Sequence, residues 1–320
     1  MSYANILFVL LLPAAPVSGQ SASAVYEKAK QACFEVLVNG HLQGSGWMAS
    51  KDGYAITAAH VVEPAGRKIE VRNSEWRKPA RLVAVDLGHD IALLRVRGVS
   101  FKYLKFARRE PRVGQEVYCF GTPLYRHYML IPGKVAKVEK GFEWVGVLKR
   151  YQQSYYVAAV TPGGASGGPW LNSSSDVVGL QSGSMTVGNA NQGISYISPL
   201  AALKQLAKEK KDAATPTIGG AFEEVWEQGE GYLKKLPAGM KGIVMKVVLP
   251  KGIIANAGIK PMDVGLTIDG KIIEYRNDAM RYVREKKPGD KIKFQLFRPS
   301  DKKRFEAEIV LGELEKGWRR

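Results

Sequence analysis

Between residue 34 and about residue 198 the sequence consists of short apolar or alternating runs, each followed by Gly, Pro, Asn or Asp. Runs of this length are typical of β-strands, whereas a packed helix needs a longer periodic segment. Strands are predicted at residues 34–38, 54–57, 68–71, 91–96 and 116–120. Many short strands at such spacing pack as a barrel or a sandwich, so this part of the chain is predicted to be all-β.

The pattern changes after this region. Residues 200–211 have helical periodicity and become strongly charged, and residues 212–217, with a proline among small and polar residues, predict a linker. Beyond the linker, strands are predicted at residues 242–248, 264–268, 292–297 and 305–311. A helix over residues 278–287, opened by Asn277, and a hairpin turn at residues 299–302 complete a small α+β module.

The first 24 residues carry no charged side chain. They contain an apolar run at residues 6–12 and end in small residues, with possible cleavage sites at residues 17–19 or 22–24, a pattern typical of a secretory signal peptide. The run is broken by Pro13 and Pro16 and is shorter than the ~20 residues that span a bilayer. An uncleaved apolar anchor is the alternative interpretation.

The chain has two cysteines, Cys33 and Cys119. In an exported protein they would meet an oxidising compartment and form a possible disulfide, and two unrelated buried thiols are the alternative. The cysteines and the four scattered histidines lack the spacing of a metal site. We therefore expect neither a metal nor a cofactor.

The net charge of +17 survives removal of residues 1–24, since they contribute none of it. Nucleic acid is the first partner to consider for so basic a chain. The Lys and Arg residues are spread along the whole chain without a recognisable nucleic-acid motif, so no nucleic-acid partner is expected. Anionic envelope components or acidic client proteins suit an exported protein better, and solubility alone is the simplest explanation.

One serine stands among glycines in the segment at residues 164–169, and the bare glycine backbone lets a substrate approach its hydroxyl. Ser166 is therefore a candidate nucleophile, which needs a base and an orienting carboxylate to react. His60 follows a predicted strand and small residues, and Asp90 directly precedes the strand at residues 91–96. The three residues occur in the order His, Asp, Ser of the chymotrypsin-type triad.

Residues 34–198 resemble a chymotrypsin-fold serine protease, and the segments around the three residues are most similar to the HtrA/Deg family. Residues 256–264, 268–271 and 287–290 resemble landmarks of a bacterial PDZ domain, which follows the protease domain in that family. The resemblance implies a mainly β chain, a chymotrypsin-like double six-stranded β-barrel followed by a smaller α+β PDZ domain. The implied divisions are a signal peptide at 1–24, a trypsin-like serine protease domain at 25–211, a linker at 212–217 and a PDZ domain at 218–320.

The resemblance also implies a role for each residue of the site. His60 would take the proton of Ser166, Asp90 would orient the imidazole, and the backbone amides of Gly164 and Ser166 would form the oxyanion hole. Ala165 departs from the pattern, since HtrA proteins have Asn there and chymotrypsins an Asp that pairs with a new N-terminus after zymogen cleavage. We therefore expect no activation of that kind. Residues 39–44 are too few for the long regulatory loop of some HtrA proteins, so oligomeric switching is in doubt.

By the same correspondence, the floor of the primary specificity pocket lies near Val160. The residues expected at the pocket wall are Ser182, Gly183, Ser184 and Gly193. An apolar floor without a carboxylate predicts cleavage after small or medium apolar residues rather than after Lys or Arg.

The PDZ domain is expected to bind the C-termini of peptides by strand addition, with a loop of backbone amides receiving the carboxylate. The residues predicted for this loop are Ile218, Gly219, Gly220 and Ala221. An ordinary glycine-rich entry to the domain is the alternative interpretation.

These features predict an exported, periplasmic or secreted, ATP-independent serine endopeptidase that cleaves unfolded or damaged proteins and binds peptide C-termini. A homo-oligomer is possible, and an uncleaved N-terminal segment would make the protein membrane-associated. One alternative is a non-catalytic peptide-binding or chaperone-like scaffold. Another is a processing protease for one dedicated partner.

Overall fold

The computed structural model describes residues 21–63, 68–188 and 190–316. Its first part contains two closed antiparallel β-barrels of six strands each. The first barrel has the order β1-β2-β3-β6-β5-β4. Its strands are β1 (Cys33–Val38), β2 (His41–Met48), β3 (Tyr54–Ala58), β4 (Ile69–Arg72), β5 (Arg77–Asp86) and β6 (Ile91–Val96).

The second barrel has the order β10-β11-β12-β9-β8-β7. Its strands are β7 (Glu116–Gly121), β8 (Met129–Val145), β9 (Arg150–Ala158), β10 (Pro169–Leu171), β11 (Val177–Val187) and β12 (Ala190–Pro199). Helix α1 (Ala22–Ala32) precedes the barrels and helix α2 (Leu200–Glu209) follows them. The prediction of a double six-stranded β-barrel is confirmed.

The turn between β1 and β2 shows how local sequence sets the strand register. Asn39 has φ 51° and Gly40 has φ 85°, and Val38 pairs with His41 across them. Two consecutive residues with positive φ form the tight hairpin turn that Asn-Gly favours. The turn sets the pairing of the residues next to it, and a bulge between Val36 and Leu37 shifts the register by one before Phe34 and Trp47, which are buried in the barrel core.

The second domain is α+β, as predicted, with a sheet ordered β14-β15-β16-β18-β19 that leaves β14 and β19 as its edges. Its strands are β13 (Pro216–Thr217), β14 (Gly220–Glu224), β15 (Ile243–Val248), β16 (Val264–Ile268), β17 (Lys271–Ile272), β18 (Lys291–Arg298), β19 (Lys303–Val310) and β20 (Gly312–Glu313). Its helices are α3 (Glu230–Leu233), α4 (Ile253–Asn256) and α5 (Arg276–Arg284).

The predicted start of the second domain's main helix was wrong. Tyr275 is the N-cap of α5, and Asn277 lies inside the first turn. The Asn277 side-chain oxygen instead accepts a hydrogen bond from the backbone N–H of Phe142 in the second barrel, at 3.0 Å. Because that oxygen is engaged by another domain, it does not cap the helix.

The predicted linker, residues 212–217, is fixed at both ends. The Asp212 carboxylate accepts from the Val85 N–H at 2.9 Å, which ties it to the first barrel. The buried Glu315 carboxylate accepts from the Thr215 N–H at 2.8 Å and from the Leu87 N–H at 2.9 Å. Glu315 therefore joins the linker, the first barrel and the C-terminal segment in one hydrogen-bonded unit.

The possible disulfide between Cys33 and Cys119 is not formed, and both are free, buried thiols. Cys33 packs in the core that fills the first barrel, whereas Cys119 packs in the core of the second. Burial raises the pKa of both thiols, since a thiolate is poorly solvated in an apolar core.

Residues 1–20 of the predicted signal peptide lie outside the described residues, and residues 22–24 form the start of α1. Val25 and Ala29 of this helix are buried in the core of the first barrel. Among the residues that the structure describes, no helix has both the length and the apolar composition needed to cross a membrane.

Candidate active site

His60 and Asp90 meet at the end of the first barrel's central strands. His60 lies in a 3-10 turn (Ala59–Val62) that directly follows β3, and Asp90 directly precedes β6, which pairs with β3. His60 Nδ1 lies 2.7 Å from Asp90 Oδ2, and the His60 backbone N–H donates to Asp90 Oδ1 at 3.0 Å. The Asp90 side chain is fully buried, whereas that of His60 is 28% exposed. The carboxylate thus fixes an imidazole whose other edge is open to substrate.

Ser182 connects this pair to Ser166. Ser182 Oγ donates to Asp90 Oδ2 at 2.5 Å, and the Ser182 carbonyl accepts from Ser166 Oγ at 3.3 Å. The structure therefore brings His60, Asp90 and Ser166 to one place. Among the described residues, no hydrogen bond joins Ser166 Oγ to His60 directly. Ser182 was predicted at the wall of the specificity pocket; its side chain is buried and donates to the Asp90 carboxylate instead.

Sequence reasoning missed Arg150, a buried cation beside the site. Its guanidinium is 4% exposed and lies 3.2 Å from Glu63 Oε2 and 3.8 Å from Asp90 Oδ1. Arg150 begins β9 in the second barrel, far from Asp90 in sequence. No local pattern marks it, since only the packing of the two barrels brings it to the carboxylate.

The surrounding charges raise the pKa of His60 and lower that of Asp90. Burial by itself would lower the pKa of His60, but the Asp90 carboxylate raises it above its usual value, while Arg150 acts to lower it. Burial would raise the pKa of Asp90, but His60 and Arg150 hold it below its usual range. Asp90 therefore stays ionised and makes His60 a stronger base.

The segment before Ser166 was predicted to form an oxyanion hole, and its backbone conformation is tightly constrained. Gly164 has φ 95°, and a Cβ there would overlap the carbonyl oxygen of Thr122, so only glycine fits. The carbonyls on either side are occupied: Gly163 O accepts from the Leu124 N–H at 2.8 Å, and Gly164 O accepts from Ser45 Oγ at 2.9 Å. Within the described part of the chain, the amides of Gly164 and Ser166 donate to no acceptor. Both donors are thus available to a substrate oxygen.

A cavity of about 410 Å³ opens beside Ser166. The predicted apolar floor at Val160 was wrong, because this side chain is 57% exposed at the mouth. Thr161, one position along, is buried, and its Oγ1 lies 2.8 Å from Ser184 Oγ and 2.6 Å from Ser195 Oγ. Adjacent residues of an extended chain face opposite ways, so the inner side chain is the polar one.

Of the four predicted wall residues, Gly183 and Ser184 line the cavity, whereas Ser182 and Gly193 do not. The lining residues are Val160, Thr161, Pro162, Gly163, Ser166, Gln181, Gly183, Ser184, Thr186 and Asn191. Gly193 is absent from this lining, because its N–H donates to Asn191 Oδ1 at 2.8 Å and its carbonyl accepts from the Ala159 N–H at 2.9 Å. None of the lining residues carries a charge.

The loop predicted to receive a peptide carboxylate leads into edge strand β14. Ile218 and Ala221 are buried, and Gly219 has φ 72° with its N–H donating to Thr217 Oγ1 at 3.3 Å. Gly220 begins β14 and pairs with Val248. An edge strand offers the free backbone groups that strand addition requires.

The edge of β14 is in contact with the second barrel. The Phe222 N–H donates to Tyr151 Oη at 2.7 Å, and Tyr151 Oη donates to the Phe222 carbonyl at 3.3 Å. The Trp144 and Tyr151 rings pack with centroids 5.3 Å apart. Phe142 and Tyr151 share one buried cluster with Phe222 of β14 and with Met280 of α5. The hairpin of β8 and β9 therefore packs against both β14 and α5.

Comparison with known proteins gives the same two domains. A family model described as a trypsin-like peptidase domain matches residues 44–180, and a PDZ domain model matches residues 216–309. The chain is 28% identical over 271 residues to a "Probable periplasmic serine endoprotease DegP-like" of Pseudomonas fulva (strain 12-X), covering 83% of this chain and 55% of that relative. It is 29% identical over 277 residues to a protein of the same name from Hahella chejuensis (strain KCTC 2396), covering 85% and 57%.

The chain contains a trypsin-like peptidase domain followed by a PDZ domain. Solved structures of HtrA-type proteases have a similar fold. "HtrA-type protease AlgW with decapeptide" has a TM-score of 0.66 at 20% identity and covers 92% of this chain and 98% of that one. The serine endoprotease from Yersinia pestis has a TM-score of 0.61 at 23% identity, with the same coverage. The chain spans about half the length of the curated relatives it matches.

The charges around His60 predict a pH dependence for this site. A histidine accepts a proton only when neutral, so any kcat/KM that depends on His60 should fall as the pH drops through its raised pKa. Because Arg150 lowers that pKa, Arg150→Gln should raise it further and move the acid limb of the kcat/KM profile to higher pH. Arg281→Gln, which removes an exposed arginine on α5, is the control and should leave the limb in place. A limb at unchanged or lower pH in Arg150→Gln would contradict this assignment of charges.

Proposed function

We propose that this chain is a serine endopeptidase that uses His60, Asp90 and Ser166. The observation that carries the proposal is the buried Asp90 carboxylate, which accepts from both His60 and Ser182 while the Ser182 carbonyl accepts from Ser166. A buried carboxylate, an imidazole with one open edge and a serine beside an uncharged cavity are the parts that acyl transfer needs.

The geometry supports a role for each group. His60 takes the proton of Ser166 as the hydroxyl attacks a peptide carbonyl, then gives it to the leaving amine. The Ser166 hydroxyl first leaves the Ser182 carbonyl, since hydrogen bonds of free active sites often align only when substrate binds. Asp90 holds the imidazole tautomer and stabilises the imidazolium. The amides of Gly164 and Ser166 stabilise the oxyanion, where one donor is typically worth about 10²–10³ in rate.

The proposed substrates are unfolded or damaged protein chains. An extended, unfolded segment can present a peptide bond to Ser166, which a folded protein keeps buried or structured. The cavity carries hydroxyl groups and no charge, so it suits a small or medium uncharged side chain before the cleaved bond. A Lys or Arg side chain would lose water there without meeting a carboxylate.

We propose that the PDZ domain binds peptide C-termini by addition to the edge of β14, with residues 218–221 near the carboxylate. A peptide on this edge would bond the Phe222 N–H and carbonyl, the same groups that Tyr151 Oη engages. Peptide binding therefore competes with the contact between the two domains.

The location and assembly of the protein belong to the same proposal. The curated relatives are named as periplasmic endoproteases, and residues 1–24 have the pattern of a signal peptide, which together support export. The net charge of +17 favours contact with anionic envelope components or acidic clients. A homo-oligomer is compatible with this assignment.

Cleavage of an unfolded protein tests the central assignment. The mature chain should degrade reduced casein, and Ser166→Ala should lower the rate by at least about 10³-fold, because the nucleophile is gone. Ser174→Ala, a change at an exposed serine elsewhere, should retain activity. Equal absence of cleavage in the unaltered chain and Ser166→Ala would favour the non-catalytic scaffold instead.

The fragments of the same digest show which side chains the cavity beside Ser166 accepts before the cleaved bond. Mass spectrometry should find cuts mainly after small or medium uncharged residues. A digest dominated by cuts after Lys or Arg would contradict the assignment of the pocket.

Loss of the Tyr151 hydroxyl should strengthen peptide binding. In Tyr151→Phe the ring keeps its packing but releases the Phe222 N–H and carbonyl, so affinity for peptides with a free C-terminus should rise roughly fivefold. Tyr232→Phe is the matched control, since its hydroxyl bonds the Met262 carbonyl at 2.7 Å within the same domain. Fluorescence anisotropy with a C-terminal peptide library measures both. Equal affinities in the two variants would show that Tyr151 does not occupy the peptide site.

A further inference from the structure

A second buried carboxylate, Glu35, lies outside the triad. It is on β1 and is 1% exposed. Its oxygens accept from Arg72 Nε at 2.7 Å and from Thr122 Oγ1 at 2.9 Å, and it also contacts His127 Nδ1. Although burial would raise the pKa of Glu35, these partners lower it, so the group is an anion at neutral pH. The proposed peptidase chemistry gives this anion no part.

Two of these partners, Thr122 and His127, are the two ends of one short loop. Between them, Leu124 and Tyr125 have φ 46° and 62°, in the left-handed region that residues other than glycine rarely adopt. The two side chains are 56% and 71% exposed. Pro123 is the buried residue of this turn, and the contacts of Thr122 and His127 with Glu35 tie both ends of the loop to β1.

The loop in turn holds the segment before Ser166. The Leu124 N–H donates to the Gly163 carbonyl at 2.8 Å. A peptide unit is planar and trans, so a fixed Gly163 carbonyl directs the Gly164 N–H to the opposite side, away from the loop. The Thr122 N–H also donates to Ser45 Oγ at 3.0 Å, and Ser45 Oγ donates to the Gly164 carbonyl at 2.9 Å. The loop therefore determines the direction of one oxyanion donor.

We propose that Glu35 is a positioning residue for the oxyanion hole, acting through Thr122 and His127 on the loop that orients the Gly163–Gly164 peptide. Glu35 contacts no substrate. This inference rests on the proposed peptidase function and names the groups that keep its oxyanion donor in place. An oxyanion donor stabilises the transition state more strongly than it stabilises the bound substrate. Loosening the loop therefore lowers kcat and leaves KM nearly unchanged.

Kinetics on the full mature chain test this with three variants at Glu35 and Thr122. Glu35→Gln keeps the size of the side chain and removes its charge, and Thr122→Val keeps the shape and removes the hydroxyl that Glu35 accepts from. Each should lower kcat for a peptide substrate by about tenfold or more, with KM within about twofold. Thr122→Ser restores the hydroxyl and should return kcat to within about twofold of the unaltered chain.

Thr215→Val is the matched control, because Thr215 Oγ1 makes the same kind of bond with the buried Glu315, at 2.7 Å. It should lower thermal stability about as much as Thr122→Val and leave kcat nearly unchanged. A kcat loss in Thr122→Val no larger than that in Thr215→Val would overturn the inference. A Thr122→Ser variant as slow as Thr122→Val would overturn it as well.

Amide hydrogen exchange separates this inference from the proposed activity. Within the described ranges the Leu124 N–H donates to the Gly163 carbonyl alone, so its exchange should speed up in Thr122→Val and Glu35→Gln but not in Thr215→Val. If the unaltered chain cleaved nothing, the proposed function would fail, yet faster exchange at Leu124 would still support the role of Glu35 in holding the loop. Unchanged exchange in both variants would overturn it.

Discussion

The buried carboxylate of Asp90 is the group on which the proposed active site depends. An ionised carboxylate that is buried away from water needs several polar partners. Asp90 accepts hydrogen bonds from His60 and Ser182, and the positive charge of Arg150 lies nearby. These donors come from both barrels, so the carboxylate is fully satisfied only when the barrels are packed together. The orientation of His60 therefore depends on the packing of the two barrels against each other.

The second domain is held to this site by buried polar contacts rather than by a flexible tether. Arg284 of α5 donates to the Tyr151 carbonyl at 2.8 Å, and burial lowers its pKa to about 10. Tyr151 follows Arg150, which faces Asp90, and its own hydroxyl engages the edge of β14. A ligand bound at the β14 edge would therefore displace Tyr151, the neighbour in sequence of Arg150, which lies 3.8 Å from the Asp90 carboxylate.

Much of the architecture could be predicted because it depends on local patterns. Short apolar or alternating runs predicted β6 and β16 with the bounds that the structure has, and the Asn39-Gly40 turn is set by its own backbone preferences. The three residues of the proposed triad could be named because each lies in a recognisable short segment. The roles of Ser182 and Glu35 could not, since both depend on contacts between segments far apart in sequence. Val160 was wrongly placed at the pocket floor because position in the sequence does not tell which neighbour faces inward.

Labelling with a fluorophosphonate tests the central claim most directly, because this reagent reacts with a serine only when a base and an oxyanion hole activate it. The account predicts that the mature chain is labelled, that mass spectrometry places the label on Ser166, and that His60→Ala abolishes the reaction. Absence of labelling in the folded chain, or a label on another serine, would contradict it.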